Sequence, residues 1–455
     1  MFNQYRIIHF TGIGGIGMSG IAEVLHNLGY EVTGSDIRES EITARLRELG
    51  IKIFIGHDEN NINDAHVVVT SSAVSITNPE VVAAKDRGVP VIPRAEMLAE
   101  LGRLKYGVLV AGAHGKTTTT SLIATLLGEG GLDPTVVIGG KLKAMGSNAR
   151  LGQGEFLVAE ADESDGSFLK LSPTIAVITN IDREHMDYFG NIENIKGAFL
   201  EFINKIPFYG VAIVCKENEH TREIIPQIRR RVLTYGLSHD SDMYARHISH
   251  DGARTHFEAI LKGESLGMFT LPVPGVHNVL NSLAAILTAM ELQMPLDGIK
   301  NALAGFSGIQ RRFEFRGEAK GVRVFDDYGH HPVEIRAVLK AASECFSDRR
   351  LIVIFQPHRY TRTRDLMGDF ALSFGAADRL YVTDIYAASE APIAGISSAA
   401  LIGKMKDVGF ANAVHISDRK ELVKKVLDEL SPGDVVMTLG AGDVYKLGEE
   451  ILKGL

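Results

Sequence analysis

Residues 107–118 read Gly-Val-Leu-Val-Ala-Gly-Ala-His-Gly-Lys-Thr-Thr, an apolar run followed by a glycine loop and the start of a helical pattern. A strand, a glycine loop and a helix in this order form a phosphate loop, whose backbone N–H groups face bound phosphates. Lys116 would reach the β- and γ-phosphate oxygens, and the Thr117 hydroxyl could ligate Mg²⁺. Val110 replaces the usual first glycine, so the loop reads G-x-x-G-K-T. The motif predicts a nucleotide-binding α/β domain, and we expect Lys116 to be a loop cation whose removal leaves the fold intact.

Short apolar runs alternate with amphipathic stretches in three cycles, which predicts parallel sheets with crossover helices. The predicted strands lie at 5–10, 30–34, 67–70 and 89–92, then at 107–111, 156–159 and 174–179, a hairpin at 255–261 and 268–271, and finally at 322–326, 351–355, 380–384 and 435–439. The clearest helices are predicted at 17–28, 118–127 and 276–292. We therefore expect an α/β protein with three domains, at residues 1–104, 105–314 and 315–455.

The composition is that of an ordinary globular chain. Of 455 residues, 45% are hydrophobic and 23% charged, which excludes disorder and fibrous repeats. The net charge of −8 gives no basic surplus for nucleic acid, and no apolar run approaches the roughly 20 residues that span a bilayer. Cys215 and Cys345 are too few for a disulfide framework. A glycine motif at Gly12 leaves no room for a signal peptide, so we expect a cytoplasmic protein with no membrane partner.

Two further predicted strands end in polar side chains. The sequences are EADESD at 160–165 and TNIDREHMD at 179–187. Because the carboxyl ends of parallel strands meet at one edge of a sheet, both segments should lie beside the phosphate loop. Glu160 is nearest its strand end and is the first choice for Mg²⁺, a cation that prefers oxygen ligands. Asp162, Glu163 and Asp165 could otherwise be solvated loop charges, and His185 could be a ligand or a structural histidine.

The N-terminal glycines form a second nucleotide-type loop. Gly12, Gly14 and Gly17 satisfy G-x-G-x-x-G after a strand and before a helix, and Asp36 ends the next strand at a spacing suited to a ribose contact. Taken alone, this motif predicts an NAD-dependent dehydrogenase. Any diphosphate-containing nucleotide can occupy such a helix start, however. One nucleotide could then supply energy while the other carries the substrate.

Two loops of the third cycle are rich in histidine, arginine and tyrosine. They read DDYGHHP at 326–332 and FQPHRYTR at 355–362, each between a strand and a helix. This composition at strand carboxyl ends predicts a site for an anionic substrate, in which Arg359 and Arg362 could hold a carboxylate or phosphate. At the start of helix 276–292, His277, Asn278 and Asn281 could cap the helix or bind a ligand.

Together these motifs resemble those of the Mur ligase family of ATP-dependent amide-bond-forming enzymes, along essentially the whole chain. The motifs that carry the resemblance are GIGGIGMSG at 12–20, AHGKTTT at 113–119, EADESDGSF at 160–168, Thr179-Asn180, HMD at 185–187, His277-Asn278 with Asn281, DDYGHHP at 326–332 and PHRY at 357–360. Residues 198–201, Ala-Phe-Leu-Glu, lack the carbamylated lysine that later ligases of the pathway carry beyond the metal histidine. This departure favours the alanine-adding branch of the family.

The resemblance implies a Rossmann-like N-terminal domain for the UDP-sugar, a central phosphate-loop ATPase domain and a Rossmann-like C-terminal domain for the amino acid. It implies that ATP converts the lactyl carboxylate of UDP-N-acetylmuramate into an acyl phosphate, which L-alanine attacks, in peptidoglycan precursor synthesis. ATP and two Mg²⁺ ions are the implied cofactors. We also expect a monomer or weak homodimer.

The resemblance also implies roles for residues that match the family's motifs. Metal binding falls to Thr117, Glu160 and His185, and ATP binding to Gly112, Ala113, His114, Gly115, Lys116, Thr117, Thr118, Asn278, Asn281, Arg312 and Asp326. UDP-sugar binding falls to Gly12, Gly14, Gly15, Gly17, Asp36 and Ser71, and L-alanine binding to Tyr328, His358 and Arg362. The catalytic set is Lys116, Glu160, His185, His330 and His358. Either His330 or His358 could accept the proton of the alanine amine, and the sequence does not choose between them.

Other functions remain open at this point. A murein tripeptide-recycling ligase or a folate polyglutamylating enzyme would use the same scaffold, although the N-terminal fingerprint disfavours the second. A dehydrogenase would leave the Lys116 loop unexplained. A nucleotide-dependent switch would not need the polar loops around Tyr328 and His358.

Overall fold

The computed structural model describes residues 6–71, 73–103, 105–142, 147–388 and 390–455, without the side chains of 140–142, 147, 148 and 187. Three sheets follow one another along the chain, as the three cycles predict. The predicted strand start at Tyr5 and the predicted domain boundary at residue 104 lie outside the described residues. Among the described residues, no helix combines the length and apolarity needed to cross a membrane.

The first sheet is a five-stranded parallel sheet in the order β3-β2-β1-β4-β5. Its strands are β1 (Ile7–Thr11), β2 (Glu31–Asp36), β3 (Lys52–Ile55), β4 (Val67–Thr70) and β5 (Val91–Pro93), with helices α1 (Ile16–Asn27), α2 (Glu41–Glu48), α3 (Pro79–Asp86) and α4 (Arg94–Gly102). Phe10 and Val69 are fully buried where the helices cover the sheet. The order reverses between β1 and β4, and a sheet of this kind binds ligands at such a switch point.

The second sheet has ten strands in the order β15-β14-β13-β12-β11-β10-β6-β9-β7-β8. Its strands are β6 (Tyr106–Ala111), β7 (Thr135–Leu142), β8 (Ser147–Arg150), β9 (Phe156–Glu160), β10 (Ile175–Ile178), β11 (Val211–Cys215), β12 (Val232–Gly236), β13 (Met243–Asp251), β14 (Arg254–Leu261) and β15 (Glu264–Leu271), with helices α5 (Lys116–Glu129), α6 (Met186–Phe189), α7 (Ile192–Asn204), α8 (Glu219–Ile224), α9 (Val276–Glu291) and α10 (Leu296–Ala304). β6 pairs in parallel with both β9 and β10. The carboxyl ends of these three strands therefore meet at one edge of the sheet.

The third sheet has six strands in the order β16-β17-β21-β18-β19-β20, and only the β16–β17 pair is antiparallel. Its strands are β16 (Glu314–Ala319), β17 (Val322–Asp327), β18 (Leu351–Phe355), β19 (Arg379–Val382), β20 (Ala413–His415) and β21 (Val435–Leu439), with helices α11 (Pro332–Cys345), α12 (Tyr360–Asp365), α13 (Met367–Ala371), α14 (Ser398–Asp407), α15 (Arg419–Glu429) and α16 (Tyr445–Gly454). β18 and β21 are buried throughout, as expected for central strands covered on both faces.

The described chain divides into two compact units. The first contains Met1–His247, Phe257–Phe269 and Leu280–Ser307, and the second contains Ile248–His256, Thr270–Val279 and Gly308–Leu455. The boundaries of three separate domains at residues 1–104, 105–314 and 315–455 stay a prediction.

A buried carboxylate in the first sheet offers a test of stability. Glu80, in α3, is fully buried and accepts hydrogen bonds from Ser35 Oγ at 2.6 Å and Asn61 Nδ2 at 2.7 Å, with His9 Nε2 at 3.3 Å. Burial alone would raise the pKa of Glu80, but these hydrogen bonds outweigh it and lower the pKa from 4.5 to about 2. The carbonyl of Ser35 also accepts the N–H groups of Gly12 and Ile13, so the cluster supports the glycine loop.

We expect Glu80→Gln to lower the free energy of unfolding by about 3 kcal/mol at neutral pH. The folded pKa is depressed, so the contribution of Glu80 is complete above pH 4.5 and is lost as the pH falls towards 2. Urea unfolding at several pH values measures this difference. The exposed Glu48→Gln is the matched control and should change stability little. A Glu80→Gln deficit that is the same at pH 7 and pH 3 would contradict the assignment.

Candidate active site

The phosphate loop lies between β6 and α5, and two glycines allow its path. Gly112 has φ +140°, and a Cβ there would lie 2.1 Å from Thr179 Oγ1. Gly115 has φ +81°, and a Cβ there would lie 2.7 Å from Asn281 Oδ1. Because α5 begins directly after Gly115, the N-terminal end of the helix faces the loop. This is the anion-binding arrangement that the sequence predicts.

Lys116 is held by the loop and by a carboxylate. Its Nζ donates to the carbonyl oxygens of Gly112 at 2.5 Å and Ala113 at 3.3 Å, and lies 2.9 Å from both carboxylate oxygens of Glu163. Burial would lower the pKa of Lys116, but the negative charges of Glu163 and Asp162 more than compensate and raise it. The ammonium group of Lys116 is therefore charged.

The ion pair bears on two expectations. Glu163 is not a solvated loop charge, because it is only 3% exposed. Lys116 pairs with this buried carboxylate, so we now expect its removal to destabilise the fold. The neighbouring Asp165 is exposed, as expected.

Glu160 ends β9 beside the phosphate loop. Its Oε1 accepts the N–H of Gly139 at 2.7 Å, and its carboxylate is hydrogen-bonded to the Thr117 side chain. Burial raises the pKa of Glu160. A hydroxyl and a carboxylate that already meet provide oxygen ligands of the kind that Mg²⁺ prefers, so these residues fit the implied ion.

The segment after β10 holds the phosphate loop through hydrogen bonds to His114. Asn180 Oδ1 accepts the N–H of His114 at 2.8 Å, while Thr179 Oγ1 and Asn180 Nδ2 donate to the His114 carbonyl at 2.7 and 2.9 Å. Asp182 Oδ2 lies 3.1 Å from His114 Nε2. Sequence reasoning treated this segment as a possible ligand set and missed its role in positioning the loop.

Three other residues were predicted to bind ligands near the phosphate loop: His185, Asp187 and Asn281. His185 has φ +55°, and its Nε2 lies 3.5 Å from Glu184 Oε2. The side chain of Asp187 lies outside the described residues. Asn281, in α9, accepts a hydrogen bond from Thr119 Oγ1 at 3.1 Å and so contacts the helix of the phosphate loop.

The N-terminal glycine loop joins β1 to α1 and lies beside Asp36 and Ser71. Asp36 Oδ2 accepts the N–H of Gly14 at 2.9 Å, so this carboxylate supports the loop as well as lying at the expected ribose position. A Cβ at Gly12 would lie 3.7 Å from Ser71 Oγ, which places the predicted Ser71 beside the loop.

Arg94 was missed by sequence reasoning. Its guanidinium lies 3.2 Å from where a Cβ on Gly17 would be and 3.5 Å from Asp162 Oδ2. A cation therefore lies at the first turn of α1 and also pairs with the EADESD segment. The pair joins positions 68 residues apart (162 minus 94), so no local pattern signals it.

In the second unit, the predicted L-alanine residues form one cluster. The His358 ring stacks on Tyr386 at 5.5 Å and meets the His330 ring edge-on at 5.7 Å, while His330 meets Tyr328 at 5.3 Å. Arg362 Nη1 lies 3.4 Å from His358 Nδ1. Burial, the positive charge that His330 carries once it is protonated, and the positive charge of Arg362 lower the pKa of His358 to about 3.

The remaining predicted ATP residues of the second unit form internal contacts. Asp326 is 1% exposed and binds Arg311 Nε at 3.0 Å and Thr438 Oγ1 at 2.6 Å. Arg312 lies over the Tyr328 ring at 5.3 Å. Asn278 Nδ2 donates to the Pro274 carbonyl, four residues earlier in the chain, at 2.7 Å. Assignment of Asn278, Arg312 and Asp326 to ATP stays a prediction.

Comparison with known proteins agrees with this organisation. Three family models match consecutive parts of the chain: the Mur ligase catalytic domain at residues 7–106, the Mur ligase middle domain at 110–289 and the Mur ligase glutamate ligase domain at 311–442. The chain belongs to the Mur ligase family. This confirms the predicted family and its three-part α/β architecture.

Within the family, the chain is similar to the following individual proteins. The UDP-N-acetylmuramate–L-alanine ligase of Geobacter sp. (strain M21) is 57% identical over 452 residues, 99% of this chain and 98% of that protein. The crystal structure of the UDP-N-acetylmuramate-alanine ligase of Thermotoga maritima superposes with a TM-score of 0.84 at 32% identity, over 98% of each chain. A murein peptide ligase of Psychrobacter arcticus has a TM-score of 0.70 at 24% identity over 98% of each chain, which shows a shared fold.

Proposed function

We propose that this protein joins L-alanine to the lactyl carboxylate of UDP-N-acetylmuramate at the expense of ATP, giving UDP-N-acetylmuramoyl-L-alanine, ADP and phosphate. The observation that carries the proposal is the 57% identity, over nearly the full length of both chains, to a ligase of that name. The reaction belongs to peptidoglycan synthesis, on which cell shape and division depend. Because ATP and UDP-sugars are cytoplasmic metabolites, we place it in the cytoplasm.

The chemistry requires activation because a carboxylate is a poor electrophile. A lactyl carboxylate oxygen attacks the γ-phosphorus of ATP and ADP leaves, which gives an acyl phosphate. The amine of L-alanine then attacks the acyl carbon, inorganic phosphate leaves, and the amine loses a proton to a base. With ATP bound, the ammonium of Lys116 would offset charge on the phosphates, a positional and electrostatic contribution.

The Glu160 carboxylate and the Thr117 hydroxyl would hold a metal ion. Thr117 and Glu160 fit Mg²⁺, and His185 would contribute to a second ion. When bound, Mg²⁺ neutralises charge on the transferring phosphoryl group. The N–H of Gly139 donates to the Glu160 carboxylate and so helps to orient it.

The geometry of the second unit favours His330 as the base for the amine. Nδ1 of His330 lies 3.0 Å from the Tyr328 carbonyl, so a neutral His330 ring would donate there and would take up a proton at Nε2. His358, with a pKa of about 3, is a weak proton acceptor. We assign His358 to holding L-alanine, together with Tyr328 and the carboxylate-binding Arg362.

Phosphate release tests the function directly. We expect release from ATP and Mg²⁺ only when UDP-N-acetylmuramate and L-alanine are both present, with the amide product identified by its mass. Release with a murein tripeptide but not with L-alanine would move the protein to the recycling ligases. Release that needs neither substrate would indicate a nucleotide-dependent switch.

A further inference from the structure

The contacts of Lys116 limit how it can bind the phosphates of a nucleotide. An ammonium group has three protons, and here its acceptors are two loop carbonyls and both oxygens of Glu163. These four acceptors already use every donor of Lys116. A phosphate oxygen can therefore be bound through Lys116 only if one of the present contacts is given up.

The carboxylate is the contact that a phosphate would replace. The carbonyls of Gly112 and Ala113 belong to the loop itself and move with it, whereas Glu163 lies 47 residues away in the chain. A phosphate and a carboxylate carry like charges and would repel each other around one ammonium. Glu163 is 3% exposed, so water cannot screen that repulsion effectively.

We propose that Glu163 is the resident counter-ion of the phosphate-loop lysine: it positions Lys116 in the nucleotide-free protein and is displaced when the phosphates of a nucleotide bind. This proposal rests on the proposed ATP-dependent function and adds to it a residue that competes with nucleotide. Glu163 is thus a positioning residue that orients Lys116 and weakens nucleotide binding.

Nucleotide affinity of the Glu163→Gln variant tests the proposal. The amide keeps the size of the side chain and an oxygen that can accept from Lys116, but it removes the competing charge. We expect the Kd for ADP, measured by titration calorimetry, to fall on the order of tenfold. Adenosine, which has no phosphates, should bind with unchanged Kd. If the substitution only distorted the binding site, the Kd for ADP and the Kd for adenosine would change together.

Two further variants make the comparison specific. Asp165→Asn removes the same charge from an exposed position of the same loop and should change the Kd for ADP less than about twofold. Glu163→Asp keeps the charge on a shorter side chain and should give an intermediate Kd. Thermal unfolding of each variant shows whether it is folded at the temperature of the titration.

The outcomes separate this inference from the proposed function. Tighter ADP binding by Glu163→Gln, both with Mg²⁺ and with EDTA, supports the inference. An unchanged or weaker affinity overturns it, and so does tightening that appears only with Mg²⁺, because Glu163 would then act through the metal. If the unaltered protein binds neither ADP nor ATP, the proposed function itself fails.

Discussion

Turnover should fall at least about a thousandfold when Lys116 is replaced by methionine. The ammonium lies in the phosphate loop, between α5 and the carbonyls of Gly112 and Ala113, where the charge of a transferring phosphoryl group would develop. Methionine has a similar length but no charge, so it removes this electrostatic stabilisation with little change in volume. Phosphate release with both substrates present measures the loss. Retention of most activity would contradict the phosphate-loop assignment.

The same substitution should also destabilise the protein, contrary to what the sequence alone suggests. Without Lys116, the carboxylate of Glu163 would be buried without its ion-pair partner, a change that costs about 3–5 kcal/mol. A variant that combines Lys116→Met with Glu163→Gln should recover most of that stability, since no charge is left unpaired. It should remain as inactive as the single variant.

This pair of variants separates catalysis from folding. Urea unfolding of the single and double variants measures the coupling between the two positions. Recovery of stability without recovery of turnover would show that the lost activity is chemical in origin. If the single variant is as stable as the unaltered protein, the buried ion pair does not form in solution.

The fold was predictable where strands are apolar and parallel. The runs at 107–111, 351–355 and 435–439 are β6, β18 and β21, and all three are central strands with nearly continuous hydrophobic sequence. β11 (Val211–Cys215) carries the same signal and could have been found. β16 (Glu314–Ala319) could not, because this polar edge strand exposes Phe315 and its pairing shifts near Gly317.

The sequence predicts which loops form the site, but it does not predict which side chains within those loops bind each other. Strand ends correctly place Glu160 beside the phosphate loop, because β6 and β9 are parallel neighbours. Which of several adjacent carboxylates is buried depends on the path of the loop after Ala161, and a run of acidic residues does not encode it. Glu163 therefore looks like Asp165 in sequence, although one binds Lys116 and the other is exposed.

The metal assignment depends on one carboxylate, and the structure makes its test specific. Glu160→Gln keeps an oxygen that can accept the N–H of Gly139 and the contact with Thr117, but it removes the negative charge that a divalent cation needs. We expect turnover to fall by about a hundredfold or more, and the Mg²⁺ concentration for half-maximal rate to rise.

Asp165→Asn is the control for this substitution, because it removes one negative charge from an exposed position five residues further along the same loop (165 minus 160). Its turnover and Mg²⁺ dependence should stay within about twofold of the unaltered protein, since an exposed charge is screened by solvent. Equal losses in both variants would mean that the loop's total charge, rather than Glu160 as a ligand, sets the metal requirement. A loss of turnover in Glu160→Gln that saturating Mg²⁺ fully restores would confine its role to metal affinity. A loss that persists at saturation would place the carboxylate at the ion during phosphoryl transfer.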